Sequence, residues 1–298
     1  MAHGNSHYEK CNLCHRLCSV NRNEKIGYCG VGSEMLVSRA ALHYWEEPII
    51  SGQNGSGTIF FSGCSLGCTF CQNRKISRGG VGKPLSAKDL SEVMLRLQNE
   101  GAHNINFVTP THYVPSIAEG IDIARDRGLS IPTVYNTGSF DTVETLKMLE
   151  GKIDIYLPDF KFYRAETAKR LALAPSYPED ARRAIAEMVR QCPTPIVNDG
   201  IMKRGVITRI LLLPGHVAEA KLSVKYLYSI YGDNIYVSLM NQYTPMPNMQ
   251  APLNRRVTAD EYDELVNYAI KLGVTNCFIQ EGGTAEESFI PDFDNTGV

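Results

Sequence analysis

Several things are absent from this chain of 298 residues. No apolar run approaches the roughly 18 residues that span a bilayer, so a membrane is not expected among its partners. The first residues, MAHGNSHYEK, are polar, with His3 and His7, and lack a signal-peptide core. Neither sign of charge dominates: 30 Lys and Arg stand against 32 Asp and Glu, a net charge of −2. That balance argues against nucleic acid or an anionic membrane surface as the main partner. There is also no internal repeat and no low-complexity tract. What remains is an ordinary globular composition, at a length that accommodates one large α/β domain and a small appendage.

Cysteine is where the sequence becomes informative. There are nine, an odd number, and seven fall in two tight groups. Without an export signal, this pattern reads as metal binding rather than a disulfide framework, and the expected compartment is the reducing cytoplasm. The first group is Cys11, Cys14, Cys18 and Cys29, in CNLCHRLCSVNRNEKIGYCG. Four cysteines this close imply a closed four-ligand site. Zinc suits a four-thiolate knuckle, and GYCG resembles a knuckle turn. A second 4Fe–4S cluster suits the crowded C-x2-C-x3-C run. Both metals stay open, and either would staple a segment too small to fold alone. His15 is read as a bystander.

The second group, Cys64, Cys68 and Cys71 in SGCSLGCTFCQN, has the spacing C-x3-C-x2-C. Three thiolates on a tight turn can hold three irons of a cubane 4Fe–4S cluster and leave the fourth without a protein ligand. A structural cluster uses four cysteines; an open coordination position is where substrate binds. Gly63 and Gly67 let the backbone turn closely, and Phe70 offers an apolar face. Cys192 and Cys277 stand alone and read as ordinary small apolar residues.

Residues 1 to about 10 read as a loose terminus, and residues 33–57 as a connector with some strand character. Glu46 and Glu47 within it are most simply solvated charges. From Thr58 apolar β-branched runs alternate with helical periodicity. Strands are expected at 58–62, 104–109, 131–136, 153–158, 206–213, 235–239 and 276–280, with a small hairpin across 198–204. Ser86 with Asp89, and Thr258 with Glu261, have the spacing of helix N-terminal capping pairs; Asp141 and Glu144 open another helix. Six β–α units of this kind imply a parallel sheet curled into a partial (β/α)6 TIM-type barrel over residues 58–298, preceded by a cysteine-rich module and connector over 1–57. Right-handed crossovers place the functional loops at the carboxyl ends of the strands.

The three-cysteine motif resembles the signature of the radical S-adenosylmethionine (SAM) superfamily, C-x3-C-x-aromatic-C. The segments ALHYWEEPIISGQNGSGTIFFSGC, NINFVTPTHYVP, VYNTGSFD, DIYLPDFKFY and SLMNQYTPMPN are similar to the PflX-like subgroup related to pyruvate formate-lyase activating enzyme. The resemblance implies that SAM chelates the open iron of the Cys64–Cys68–Cys71 cluster. One electron then breaks the sulfonium C–S bond, and the resulting 5′-deoxyadenosyl radical abstracts hydrogen. It further implies a flavodoxin- or ferredoxin-type electron donor. The substrate it suggests is a backbone glycine of a partner glycyl-radical enzyme; a small molecule or peptide is the alternative.

The resemblance also assigns roles. Thr109-Pro110-Thr111 stands where related activating enzymes carry Gly-Gly-Glu, so Thr109 and Thr111 could meet the SAM amino group only as neutral acceptors. Asn136 and Thr137 match the region that holds the ribose. Asp159-Phe160-Lys161 resembles an Asp-Leu-Lys in which the lysine reaches the SAM carboxylate and the aspartate helps hold a monovalent cation. Arg209, inside the apolar strand VITRILLLPG, needs a partner on its own account, and matches an arginine aimed at SAM. Asn241, Gln242 and Tyr243 follow the next strand as a loop expected to close over adenine or substrate. The competing class, a zinc-ribbon protein that binds nucleic acid or a partner without catalysis, requires a basic face with exposed aromatics, and the charge is dispersed instead.

Overall fold

The computed structural model describes residues 6–280 and 291–298. Its centre is a sheet of ten strands among the described residues. In chain order they are β1 (Met35–His43), β2 (Ser56–Phe61), β3 (Lys83–Leu85), β4 (Ile105–Val108), β5 (Thr133–Thr137), β6 (Ile155–Pro158), β7 (Ile196–Asn198), β8 (Ile201–Leu211), β9 (Tyr236–Met240) and β10 (Cys277–Ile279). Their spatial order is β10-β9-β8-β6-β5-β4-β2-β1-β3, with β7 beside β8. From β2 to β10 neighbours on this path are parallel and in chain order. Parallel neighbours require crossovers, and helices supply all six. The result is the open, mostly parallel α/β sheet of a partial TIM-type barrel. No helix among the described residues is long and apolar enough to cross a membrane.

Local chemistry explains the elements. In β2 every residue of SGTIFF is buried, as expected for a strand covered on both faces. Helix Ala87–Asn99 starts with a reciprocal capping box between Ser86 and Asp89, and helix Ala259–Leu272 with one between Thr258 and Glu261. The hairpin expected near 198–204 forms between β7 and β8. Helix Val143–Lys147 is capped by Thr142, not opened by Asp141. Asp141 is fully buried and accepts from Tyr135 Oη and Thr137 Oγ1, both at 2.6 Å.

The N-terminal part is more ordered than its sequence suggests. Residues 1–5 of the stretch read as a loose terminus, His3 among them, lie outside the described residues. The rest is not loose: Ser6–Glu9 form a helical turn, and Tyr8 is buried with its hydroxyl 2.9 Å from Ser116 Oγ. The connector joins the sheet, because β1 pairs antiparallel with both β2 and β3. It then turns inward. In the short helix Pro48–Ser51, Ile50 is fully buried among Val134, Ile155, Leu157, Met202 and Ile207. Asn104 Nδ2, just before β4, donates to the Ile50 carbonyl at 2.8 Å. Residues 48–51 therefore plug the amino-terminal end of the barrel, and Glu46 and Glu47 are carried to the layer above the plug.

Candidate active site

The cysteine loop leaves β2 directly. Gly63 adopts φ +93°, and a Cβ there would stand 2.8 Å from Val31 Cγ2 and 2.9 Å from the Cys29 carbonyl oxygen. Only glycine fits a left-handed turn with neighbours this close. The Cys64 amide donates to the Cys29 carbonyl at 3.1 Å, and the Thr69 amide to the Leu171 carbonyl at 2.8 Å. Phe70 is buried, with ring centroids 6.1 Å from both Phe162 and Tyr243. The loop is thus fixed at both ends and at its aromatic centre.

Cys64, Cys68 and Cys71 all face one cavity of about 480 Å³. Of the residues singled out by sequence, Phe70, Thr109, Asn136, Thr137, Asp159, Lys161 and Arg209 line the same cavity. Two do not. Thr111 lies buried beneath the wall, its hydroxyl 3.3 Å from Thr137 Oγ1. Asn241 is also outside the lining, although its neighbours Gln242 and Tyr243 belong to it; the Asn241 amide donates to Gln280 Oε1 at 2.8 Å. Thr109 holds φ +59°, an outlier for a β-branched residue, placed where β4 opens into the cavity.

Below the cysteines the cavity has a charged floor. Arg209 donates from Nε to Asp159 Oδ1 at 2.7 Å, from Nη1 to Glu46 Oε2 at 3.1 Å and from Nη2 to Asn136 Oδ1 at 2.6 Å. Lys161 Nζ donates to Asp159 Oδ2 at 2.5 Å. Glu46 Oε1 accepts from Asn106 Nδ2 at 3.0 Å and Asn136 Nδ2 at 3.2 Å. Glu46 and Glu47 are therefore not solvated charges. Glu47 is buried, the Glu46 side chain is only 9% exposed, and both line the cavity. They are cavity-lining residues that the sequence reading missed. The available signal was the one that exposed Arg209: charge inside an apolar run, here HYWEEPII.

Burial raises the carboxyl of Glu46 above its ordinary range, with Arg209 opposing. For Asp159 burial pushes the same way, but Arg209 and Lys161 outweigh it and hold the carboxyl below its ordinary value. Lys161 is kept charged against its burial by Asp159 and then Cys68. Both Asp159 oxygens are engaged by cations of the chain itself, so the monovalent cation expected there has no carboxylate oxygen left unpaired.

The three thiols fit an iron–sulfur cluster on chemical grounds. Burial pushes Cys68 up to about 11, with Lys161 pulling against it. Cys64 is raised further, by burial and by Cys71 and Cys68 beside it. Buried thiols that repel one another as anions become ligands only when a cationic centre displaces their protons. Among the described residues no group of three His, Cys, Asp or Glu is placed to hold a single metal ion. A cubane asks for something else, one thiolate on each of three irons, and these cysteines surround a shared cavity.

At the N-terminal group, burial pushes Cys14 up to about 12, and Cys29, Cys11 and Cys18 lie near enough to add to the rise. A Cβ at Gly27 would stand 3.5 Å from Cys29 Sγ and 3.7 Å from Cys18 Sγ. Arg22 is buried beside them. Its partners are carbonyls of Val31, His112 and Gly32, together with Cys11 Sγ at 3.7 Å.

Comparison with known proteins agrees with this geometry. A model of the radical SAM superfamily matches residues 58–220, more than half of the chain. An uncharacterized protein of Methanocaldococcus jannaschii is 30% identical over 276 residues, covering 89% of this chain and 75% of that one. Among solved structures, methylornithine synthase superposes with a TM-score of 0.50 at 18% identity, covering 70% of this chain and 59% of that one. The protein anSMEcpe, solved with bound AdoMet, gives 0.51 at 14% identity, covering 71% and 55%. The chain thus spans less than two thirds of either solved protein, and these two likenesses speak for the fold alone. With the family match and the cysteine-lined cavity together, the chain belongs to the radical SAM superfamily.

Proposed function

We propose that this enzyme abstracts hydrogen from a polar small molecule or peptide side chain admitted to the cavity. The observation that carries the proposal is the charged floor of Glu46, Glu47, Asp159 and Arg209 below Cys64, Cys68 and Cys71. A few polar groups fixed inside a cavity orient a polar ligand. When bound, a 4Fe–4S cluster held by the three cysteines, with SAM on its remaining iron, supplies a 5′-deoxyadenosyl radical upon one-electron reduction. The chain's own residues do the positioning. Lys161 offsets thiolate charge at Cys68. Phe70, packed against Phe162 and Tyr243, keeps the loop dry. Arg209, held at three points, keeps Glu46 and Asp159 in fixed places.

A second substrate reading, a glycine of a partner glycyl-radical enzyme, is favoured by the resemblance in VYNTGSFD and DIYLPDFKFY. Cys11, Cys14, Cys18 and Cys29 are proposed to hold a second 4Fe–4S cluster rather than zinc, because among the described residues no three such ligands converge on a single ion. The Cys29–Cys64 backbone hydrogen bond would connect a second cluster to the first and let it relay electrons from a flavodoxin- or ferredoxin-type donor.

The test is anaerobic purification, iron and zinc counts, then dithionite and SAM. 5′-Deoxyadenosine is expected from the wild type and not from Cys68→Ala. Its formation should be stimulated by the dialysable fraction of a cell extract. Stimulation by the retained protein fraction alone, with a glycyl radical in the electron paramagnetic resonance spectrum, would support the second reading instead.

A further inference from the structure

One carboxylate oxygen on the cavity floor is left unused by the chain. Glu47 is 8% exposed, lines the cavity, and its Oε2 is buried without a hydrogen-bond partner. Its neighbours are matched. Glu46 is held by Arg209, Asn106 and Asn136, and Asp159 by Arg209 and Lys161. The two cations give their hydrogen bonds to two carboxylates, and Glu47, the third, feels Arg209 through its charge alone. Ser238 lies beside Glu47 and opposes the rise of its carboxyl, but a hydroxyl brings no charge.

An unpartnered buried carboxylate is destabilising, whether it stays ionised or takes up a proton. Burial pushes the Glu47 carboxyl up, Arg209 pulls against it, and Glu46 adds to the rise. An apolar residue at this position would not carry that penalty. A group that enters the cavity with its own positive charge removes it. Trp45, two residues earlier, lies in the same wall, and an indole face attracts cations.

We infer that Glu47 receives a positively charged amino or guanidino group of the substrate. This assigns a substrate class, a cationic amine, and rests on the proposal that the cavity is the hydrogen-abstraction site. The Oε2 atom accepts an N–H from the ammonium, which sets the orientation of the substrate below the radical source. Selectivity follows from charge. A neutral analogue of equal length leaves the carboxylate uncompensated, whereas the ammonium completes the pairing.

Trp45 is the only tryptophan of the chain and reports on the cavity directly. The probes are n-butylammonium and n-butanol, titrated into the anaerobically reconstituted holoprotein with SAM bound, with Trp45 emission as the readout. Saturable binding of the ammonium is expected, at least about tenfold tighter than the alcohol, and Glu47→Gln should lose about tenfold toward the ammonium alone. Glu47→Asp, which keeps the charge on a shorter stem, should fall between the two and serves if Glu47→Gln does not fold. Equal binding of ammonium and alcohol by the wild type would overturn the inference, as would ammonium binding unchanged in both variants. A tenfold loss of SAM affinity in Glu47→Gln, with ammonium binding intact, would also overturn it by giving Oε2 to the cofactor. If the wild type forms no 5′-deoxyadenosine, the hydrogen-abstraction reading fails. If it forms the nucleoside yet shows no ammonium preference, only the assignment of Glu47 fails.

Discussion

Replacing Arg209 with methionine keeps an unbranched apolar stem and removes the charge on which the cavity floor depends. The guanidinium side chain is 12% exposed and supplies hydrogen bonds to Asp159, Glu46 and Asn136. Without it, Glu46 retains only the neutral amides of Asn106 and Asn136, and Asp159 retains only Lys161. Breaking a buried ion pair by removing one member destabilises by about 3–5 kcal/mol, because the other charge is stranded. Here the lower end applies. Asp159 still has Lys161, and Glu46 escapes by taking up a proton. A loss of about 3 kcal/mol is therefore expected near neutral pH. Adding Glu46→Gln to Arg209→Met removes one of the two glutamates that Arg209 offsets, Glu47 being the other, and should recover about 1–2 kcal/mol of it. The pH dependence has a definite sign. Burial already raises Glu46, and losing Arg209 raises it further. The penalty of the variant is thus greatest at high pH and shrinks as pH falls and Glu46 protonates. Urea denaturation under argon, followed by far-UV circular dichroism from about pH 7 to pH 5, measures all three quantities. A single variant that loses less than about 1 kcal/mol, or a double variant less stable than Arg209→Met by the full cost of Glu46→Gln, would refute the buried-network account.

Three further perturbations probe other parts of the fold. His112 has Nε2 2.8 Å from the Ser62 carbonyl and a buried, unpaired Nδ1; burial and then Arg22 lower it to about 3. An unfolded histidine titrates near ~6.5, so the stability held by the neutral ring is complete above that pH and is lost as pH falls toward the folded value. About 2 kcal/mol should be gone by pH 5, and His112→Gln should flatten that slope; parallel slopes for both proteins would contradict it. Gly63→Ala must displace the turn beside Val31 and the Cys29 carbonyl, and reconstituted iron should fall well below the wild-type content. Thr258→Ala removes a reciprocal cap from helix Ala259–Leu272 and should lower stability by about 1 kcal/mol in the same denaturation assay.

The parts of the fold visible in the sequence were those whose causes lie a few residues apart. The capping pairs Ser86–Asp89 and Thr258–Glu261 form as their spacing dictates. The apolar β-branched runs became the parallel strands β2, β4, β5, β6, β8 and β9. The misread residues are polar ones whose partners come from distant strands. Glu46 looks solvated in HYWEEPII because its cation, Arg209, is 163 positions away. Asp141 has the look of a helix opener, yet it is consumed by hydroxyls from β5. Thr111 follows a strand end and still misses the cavity, since the turn Thr111–Tyr113 carries its side chain down toward Thr137. Local spacing specifies a cap; it does not specify which charge a barrel will enclose.

The N-terminal module is best understood as part of the cysteine loop's support. Arg16 donates from Nε to the Ser65 carbonyl at 2.9 Å, inside the segment between Cys64 and Cys68, and from Nη2 to the Ala172 carbonyl at 2.9 Å. Arg22 reaches the His112 carbonyl, whose ring in turn holds Ser62 at the end of β2. The His15 amide donates to the Phe140 carbonyl at 3.1 Å, and Cys14 bridges to Asp141. The Cys29 carbonyl then accepts from the Cys64 amide itself. These contacts place the carbonyls and amides of one cysteine group against those of the other, so the geometry of either set is a boundary condition for its neighbour. The same chain segment continues through β1 to the Pro48–Ser51 plug and delivers Glu46 and Glu47 to the floor. One stretch of about fifty residues thereby braces the cysteine loop and brings two of the floor carboxylates, Glu46 and Glu47. That is why a barrel of parallel strands alone, without this N-terminal path, would lack both the support of its cysteine loop and two of the carboxylates on its cavity floor.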